Sequence, residues 1–244
     1  MLASMERMPA PVPRGRFDRR RAGRGRSIPP CLRRTGAVLA GLGMLAACES
    51  ISLPSSSSTP LWTPAPPPDT AAPAPRFTPG DEFWFTTGDG AIVVEVFAGR
   101  DDGLLVFRRD LDHETRYMTP HLALVRRVRP FGSDRRFDPD DGRLSFPLVV
   151  GKKWHRSFRT WRSDGSRTTR RTRTCTVTGY GTIAVPAGHF AAYRVRCTLR
   201  TAGRGEAVRE DLFYAPAIGR IVARIGGIDG PDIYLSEYRR AGAP

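Results

Sequence analysis

Residues 190–200 read Phe190-Ala191-Ala192-Tyr193-Arg194-Val195-Arg196-Cys197-Thr198-Leu199-Arg200, and their alternation decides the fold class. Side chains along a strand point to opposite faces with period two. Tyr193, Val195, Cys197 and Leu199 therefore share one face, while Arg194, Arg196 and Arg200 take the other. One face is suited to burial and the other to water. Upstream, Cys175 shares a face with Val177, and a hairpin turning at Pro186-Ala187-Gly188 would carry Cys175 towards Cys197, with Gly179 and Gly181 able to absorb the register offset as a bulge. The pair predicts a disulfide, which in the chain-entropy picture stabilises by roughly 3 kcal/mol.

Outward from this hairpin the chain is punctuated by Asp-Gly: Asp89-Gly90, Asp102-Gly103, Asp141-Gly142, Asp164-Gly165 and Asp229-Gly230. The dipeptide tolerates positive φ and closes tight hairpins. Between these signals lie short runs with β-branched and aromatic residues at 82–86, 91–98, 104–109, 154–162, 167–178, 190–200, 208–214, 220–225 and 232–238. The best helical candidate is 121–128, where a strand is equally allowed. The expected fold is mainly β, a single antiparallel sheet curved into a half-barrel or sandwich with little helix.

The N-terminus carries a different pattern. Arginines lead into a 12-residue apolar run at 36–47 that ends Leu45-Ala46-Ala47-Cys48. This order is that of a signal segment, and the run falls short of the ~20 residues that a helix needs to cross hydrocarbon. The ending resembles the lipobox of bacterial lipoproteins, which implies cleavage before Cys48, lipidation of its thiol and anchoring through the acyl chains. Glu49 stands where an aspartate would imply inner-membrane retention, so the resemblance favours the outer membrane and its periplasmic face. Thr35-Gly36-Ala37 after Arg33-Arg34 lacks the large apolar residue of a twin-arginine signal, which points to general secretion. Residues 49–76 are dominated by Ser, Pro, Ala and Thr and read as a tether. The division is then a signal segment at 1–47, a lipidated tether at 48–76 and a β-rich domain at 77–244. Those last 168 residues suit one core.

The formal charge of +15 is unevenly spread, because ten arginines against two acids up to Ala47 supply eight of those charges. Only Lys152 and Lys153 are lysines, and the chain has neither Asn nor Gln, as GC-rich codon usage would produce. A basic surface attracts anionic lipid heads, lipopolysaccharide phosphates or nucleic acid, and export removes nucleic acid from the set.

Two segments resemble a class of uncharacterised bacterial envelope proteins. One joins Gly151-Lys152-Lys153-Trp154 with Ile183-Ala184-Val185-Pro186-Ala187-Gly188-His189-Phe190-Ala191-Ala192-Tyr193-Arg194-Val195. The other is Tyr214-Ala215-Pro216-Ala217-Ile218-Gly219-Arg220-Ile221-Val222. In that class a V-P-A-G-x-F-x-A-x-x-V hairpin recurs in β domains similar to the half-barrel of the lipoprotein localisation factors. The resemblance covers about 151–222 and implies no particular ligand.

Chemistry is sparsely signalled. No Gly-x-Ser-x-Gly elbow and no cysteine with a partnering histidine stands in a suitable context. His113, His121, His155 and His189 lack metal-ligand spacing. Asp138, Asp140 and Asp141 before Gly142 suggest a calcium loop, but Pro139 intervenes and the bidentate glutamate is missing, so a solvated turn is expected. Glu210 and Asp211 should lie on opposite strand faces. No enzyme activity, cofactor or metal is expected. The main surface feature is a set of arginines around Asp164-Gly165: Arg156, Arg159, Arg162, Arg167, Arg170, Arg171 and Arg173, flanked by Trp154 and Trp161. It reads either as a wet sheet face or as a site for an anionic envelope polymer, gripped by guanidinium forks. The expected role is a membrane-tethered, non-enzymatic binding or scaffold module with an apolar concave face for lipid or acyl groups, the alternative being an arginine-mediated polyanion binder.

Overall fold

A computed structural model describes residues 61–130, 134–227 and 230–242, so the signal segment, Cys48 and residues 49–60 lie outside the described part. Among the described residues every regular element is a strand. The first four are β1 (Trp62–Ala65), β2 (Glu82–Thr87), β3 (Ile92–Asp101) and β4 (Leu104–Arg109). Four more follow: β5 (Thr115–Met118), β6 (Leu124–Val128), β7 (Arg135–Asp138) and β8 (Lys153–Arg162). The last five are β9 (Thr169–Val185), β10 (Gly188–Thr201), β11 (Val208–Ala215), β12 (Arg220–Gly226) and β13 (Ile233–Arg239).

Pairing is antiparallel throughout, in the order β9-β10-β11-β12-β13-β2-β3-β4-β5-β6-β7-β8, and β8 pairs back onto β9. The sheet is therefore a closed 12-stranded barrel, which corrects the expected half-barrel or sandwich. Closure uses two features that local pattern does not announce. One is the pairing of β13 with β2, which joins distant parts of the chain. The other is the short run β5, β6 and β7, where arginines occupy positions that an apolar alternation would fill. The ring closes these twelve strands on one another, while β1 lies outside it along β9 and is the terminal strand of the sheet.

Asp-Gly turns join β2 to β3, β3 to β4 and β8 to β9, and Asp102 and Gly103 both have positive φ (47° and 76°), as a type I′ hairpin requires. The central hairpin places Cys175 directly opposite Cys197, with their Cα atoms 4.1 Å apart and the disulfide formed. Arg194 pairs with Gly179 and Val195 with Val177, so Thr178 is the bulged residue, next to one of the two glycines expected to absorb the offset. Gly181 serves a different purpose, because a Cβ there would come within 2.2 Å of the Thr63 carbonyl oxygen; the glycine admits β1 against β9.

Residues 61–76, assigned to the tether by composition, are already part of the packed structure. β1 lies along β9, Trp62 covers Phe213 at a ring distance of 5.2 Å, and Ala72 is buried in a two-way backbone bridge with Leu148. Few apolar residues suffice here because existing strands supply the partners.

Between β7 and β8 the chain enters the barrel. Asp140, Asp141, Gly142, Arg143, Leu144, Phe146 and Leu148 are buried, which corrects the expected solvated turn. Backbone groups that enter a core must find partners. Here the Leu124 amide donates to Asp141 (2.8 Å), the Phe146 amide to His121 Nδ1 (2.9 Å), and Trp154 Nε1 to the Gly142 carbonyl (2.9 Å). Lys152 Nζ closes the segment by donating to the Ser145 and Pro147 carbonyls. Trp154, expected to flank an arginine surface, thus holds this plug instead.

The plug joins a single core: Phe146 and Leu148 belong to the same buried cluster as Cys175, Val195, Cys197, Leu212 and Tyr214, with the Phe146 and Tyr214 rings 4.9 Å apart. In the same cluster Phe83, Phe97 and Phe107 pack with Phe77 edge-on and tilted at 5.2–6.0 Å. The apolar concave face expected for acyl binding is thus a filled interior.

Candidate functional site

β3 runs Val93-Val94-Glu95-Val96-Phe97, placing a carboxylate on its buried face between Val93 and Phe97. Neighbouring strands answer with cations. Arg116 Nη1 reaches Glu95 at 2.8 Å, Arg109 Nε lies at 3.6 Å, and Arg220 donates to the second Glu95 oxygen. Burial alone would push the Glu95 carboxyl up, but Arg116, Arg220 and Arg109 together outweigh it and hold the group at about 2.

A second carboxylate, Glu114, is fully buried and extends the network. It accepts from Arg116 Nε at 2.6 Å and from Arg129 Nε at 2.5 Å, with Arg109 and Arg127 each at 3.4 Å. Burial opposes its charge, and Arg116 and Arg127 still leave its pKa below the ordinary value. Asp112 adds contacts to Arg109 (3.4 Å) and Arg129 (3.2 Å). Arg220 lies over the Phe107 ring (4.3 Å) and the Phe83 ring (5.0 Å), where burial pulls its pKa down while Glu95 opposes.

This network borders a cavity of about 250 Å³ at one end of the barrel. Its lining combines apolar Phe85, Val93 and Ile233 with the guanidinium groups of Arg109, Arg116, Arg129 and Arg224, and also includes Asp89, Asp112 and Leu111. A smaller cavity of about 40 Å³ shares Phe85, Glu95, Arg116, Arg224 and Ile233 with it and is floored by Met118, Leu122, Arg143 and Arg220. The two make a blind funnel.

The arginines singled out around Asp164-Gly165 do not form one surface. Arg173 is buried between Asp141 (3.4 Å) and Glu210 (3.3 Å). Arg171 is half-buried, and Arg156 lies against the plug beside Asp140 (3.4 Å). Arg162 and Arg167 stand at the turn between β8 and β9. Only Arg159 and Arg170 face each other on exposed strand positions, and Arg159 is paired with Asp138 at 3.0 Å. The patch is divided because alternation along β9 turns Arg171 and Arg173 to the same face as Cys175.

Glu210 and Asp211 do lie on opposite faces, with Asp211 bound outside by Arg194 (2.5 Å) and Arg196 (3.0 Å). Among the described residues no cluster of three metal-ligating side chains occurs, and no helix is long and apolar enough to cross a membrane. Cys48 lies outside the described residues.

The funnel was not singled out from sequence. Its signal was available in Glu95, a lone acid on the apolar face of a strand, and in the arginines of β5 and β6.

No protein-family model and no curated protein matches the chain. Among solved structures it is similar to the hypothetical lipoprotein YmcC of Escherichia coli, at 10% identity and a TM-score of 0.47 over 68% of this chain and 89% of that one. It is similar to a candidate lipoprotein of Parabacteroides distasonis at 11% identity and a TM-score of 0.39, over 70% of this chain and all of the other. A candidate exported protein of Bacteroides fragilis with a YmcC-like fold gives 14% identity and a TM-score of 0.40, over 70% of this chain and 100% of that one.

Proposed function

We propose that the chain is an exported bacterial lipoprotein, acylated at Cys48, whose barrel serves as a non-enzymatic binding module of the cell envelope and takes its ligand into the open funnel. The observation that carries this reading is the funnel itself, a concavity lined by both apolar side chains and guanidinium groups. Its polar groups are suited to holding charge rather than moving protons, because arginines stay protonated and a carboxyl held at about 2 is a weak base at neutral pH.

Two features support the proposed compartment. Disulfides persist in oxidising compartments, and Cys175 and Cys197 are joined inside the barrel. The Leu45-Ala46-Ala47-Cys48 ending supplies the address, and Glu49 favours the outer membrane with the barrel in the periplasm. The test is the intact mass of membrane-extracted protein, wild type beside Cys48→Ser. Acyl mass on the wild type, absent from the variant, is expected; an unacylated wild type would remove the anchor.

A second reading uses the outer face, where Arg159 and Arg170 border a shallow groove of about 410 Å³ with Ser157 and Thr172. Anionic polymers such as lipopolysaccharide could lie there. Replacing Arg159 and Arg170 with Ser and measuring salt-sensitive retention by lipopolysaccharide checks it; retention equal to wild type would exclude it.

A further inference from the structure

We infer that the funnel is a site for a small amphiphilic anion, a carboxylate or phosphate monoester carrying a short apolar body. This deepens the proposed function and depends on its claim that ligand enters the barrel.

Charge is the first consideration. Arg109, Arg116, Arg127, Arg129 and Arg220 are five guanidiniums sharing three carboxylates, Glu95, Glu114 and Asp112. Even when Asp89 at the rim is counted, cations outnumber anions among the described residues of this network. Desolvated like charges repel strongly, and the pKa of Arg127 is lowered by burial and by Arg129, Arg135 and Arg116 around it. An incoming anion would relieve that repulsion, and the guanidinium forks of Arg109 and Arg129 suit a planar carboxylate or a phosphate.

Shape and polarity supply the rest. Beside these arginines the cavity is lined by Phe85, Val93 and Ile233, and by Leu111, which is 58% exposed. An inorganic anion would leave those side chains in contact with water, whereas an apolar body would cover them. A volume of about 250 Å³ is at the small end of ligand sites, and Met118 and Leu122 close the floor, so a full-length lipid tail does not fit. The ligand would place its head at the arginines and its body against Phe85, Val93 and Ile233.

The test uses the full-length chain in phosphatidylcholine nanodiscs, titrated calorimetrically with empty discs subtracted. The probes are hexanoate, hexyl phosphate, hexanol, acetate and inorganic phosphate. Binding of hexanoate, hexyl phosphate or both, at least about tenfold tighter than hexanol and than the matching bare anion, is expected; the preferred head separates carboxylate from phosphate ligands. Arg129→Gln, at the half-exposed mouth, should weaken that binding by about tenfold, and Val93→Asp should abolish it. Hexanol binding as tightly as hexanoate, or binding of neither anion, overturns the proposal. So does binding unchanged by Arg129→Gln. A correctly acylated protein that binds hexanol alone would leave lumen binding standing and remove only the ligand class.

Discussion

The carboxylate of Asp141 meets the guanidinium of Arg173 at 3.4 Å inside the barrel, across 32 residues of sequence. One group comes from the plug and the other from the wall, so this contact fixes where the plug sits. Asp141 also receives the Leu124 amide. Asp141→Ala should lower unfolding free energy by about 2 kcal/mol, since it removes a carboxylate that shares the buried Arg173 with Glu210 and takes the acceptor from the Leu124 amide. Asp141→Asn, which retains an acceptor, should cost less. The urea midpoint checks both.

Stability should also depend on pH through Glu95. Its folded value of about 2 lies below the ordinary 4.5, so the carboxylate stabilises the barrel fully above about pH 4.5 and that contribution fades as pH falls towards 2. The difference corresponds to about 3 kcal/mol. Urea midpoints for wild type and Glu95→Gln at pH 6, 4 and 3 should converge as the pH drops; parallel curves would show that Glu95 is not depressed.

Reduction of Cys175–Cys197 should cost about 3 kcal/mol, because the bridge closes a loop spanning 22 residues. Denaturation with and without reductant, beside Cys175→Ser/Cys197→Ser, should give the same lowered midpoint for the reduced wild type and the variant.

Gly181→Ala should displace β1 while leaving the ring of twelve strands closed, since the added methyl meets the Thr63 carbonyl oxygen and not the barrel wall. Limited proteolysis should then cleave within residues 61–66 of the variant and spare the rest of the barrel.

Nine of the strands were legible in the sequence because they carry either period-two alternation or an Asp-Gly turn at one end. Cys175 and Cys197 were legible for the same reason: their strands alternate cleanly and their turn is marked by Pro186 and Gly188. β5 and β7 were not legible, and at 121–128 helix and strand stood level until the structure showed β6, since Arg116, Arg127 and Arg135 occupy inward positions where hydrophobic patterning looks for apolar residues. The funnel shares that cause. Its cations are stabilised by Glu95 and Glu114 from other strands, a relation between distant residues that no local window contains. The arginines around Asp164-Gly165 failed as one site because proximity in sequence ignores the inside–outside alternation separating Arg170 from Arg171.

β1 also changes how freely the barrel could travel. With Cys48 as the acylated residue, as proposed, the packed chain begins thirteen residues on, at Leu61, and not at Phe77. At ~3.5 Å per residue, thirteen steps of chain allow at most about 45 Å, against about 100 Å for the longer span. On that proposal the barrel would be moored rather than roving, sampling a shallow layer above the bilayer, and any ligand would have to be found or delivered within that layer.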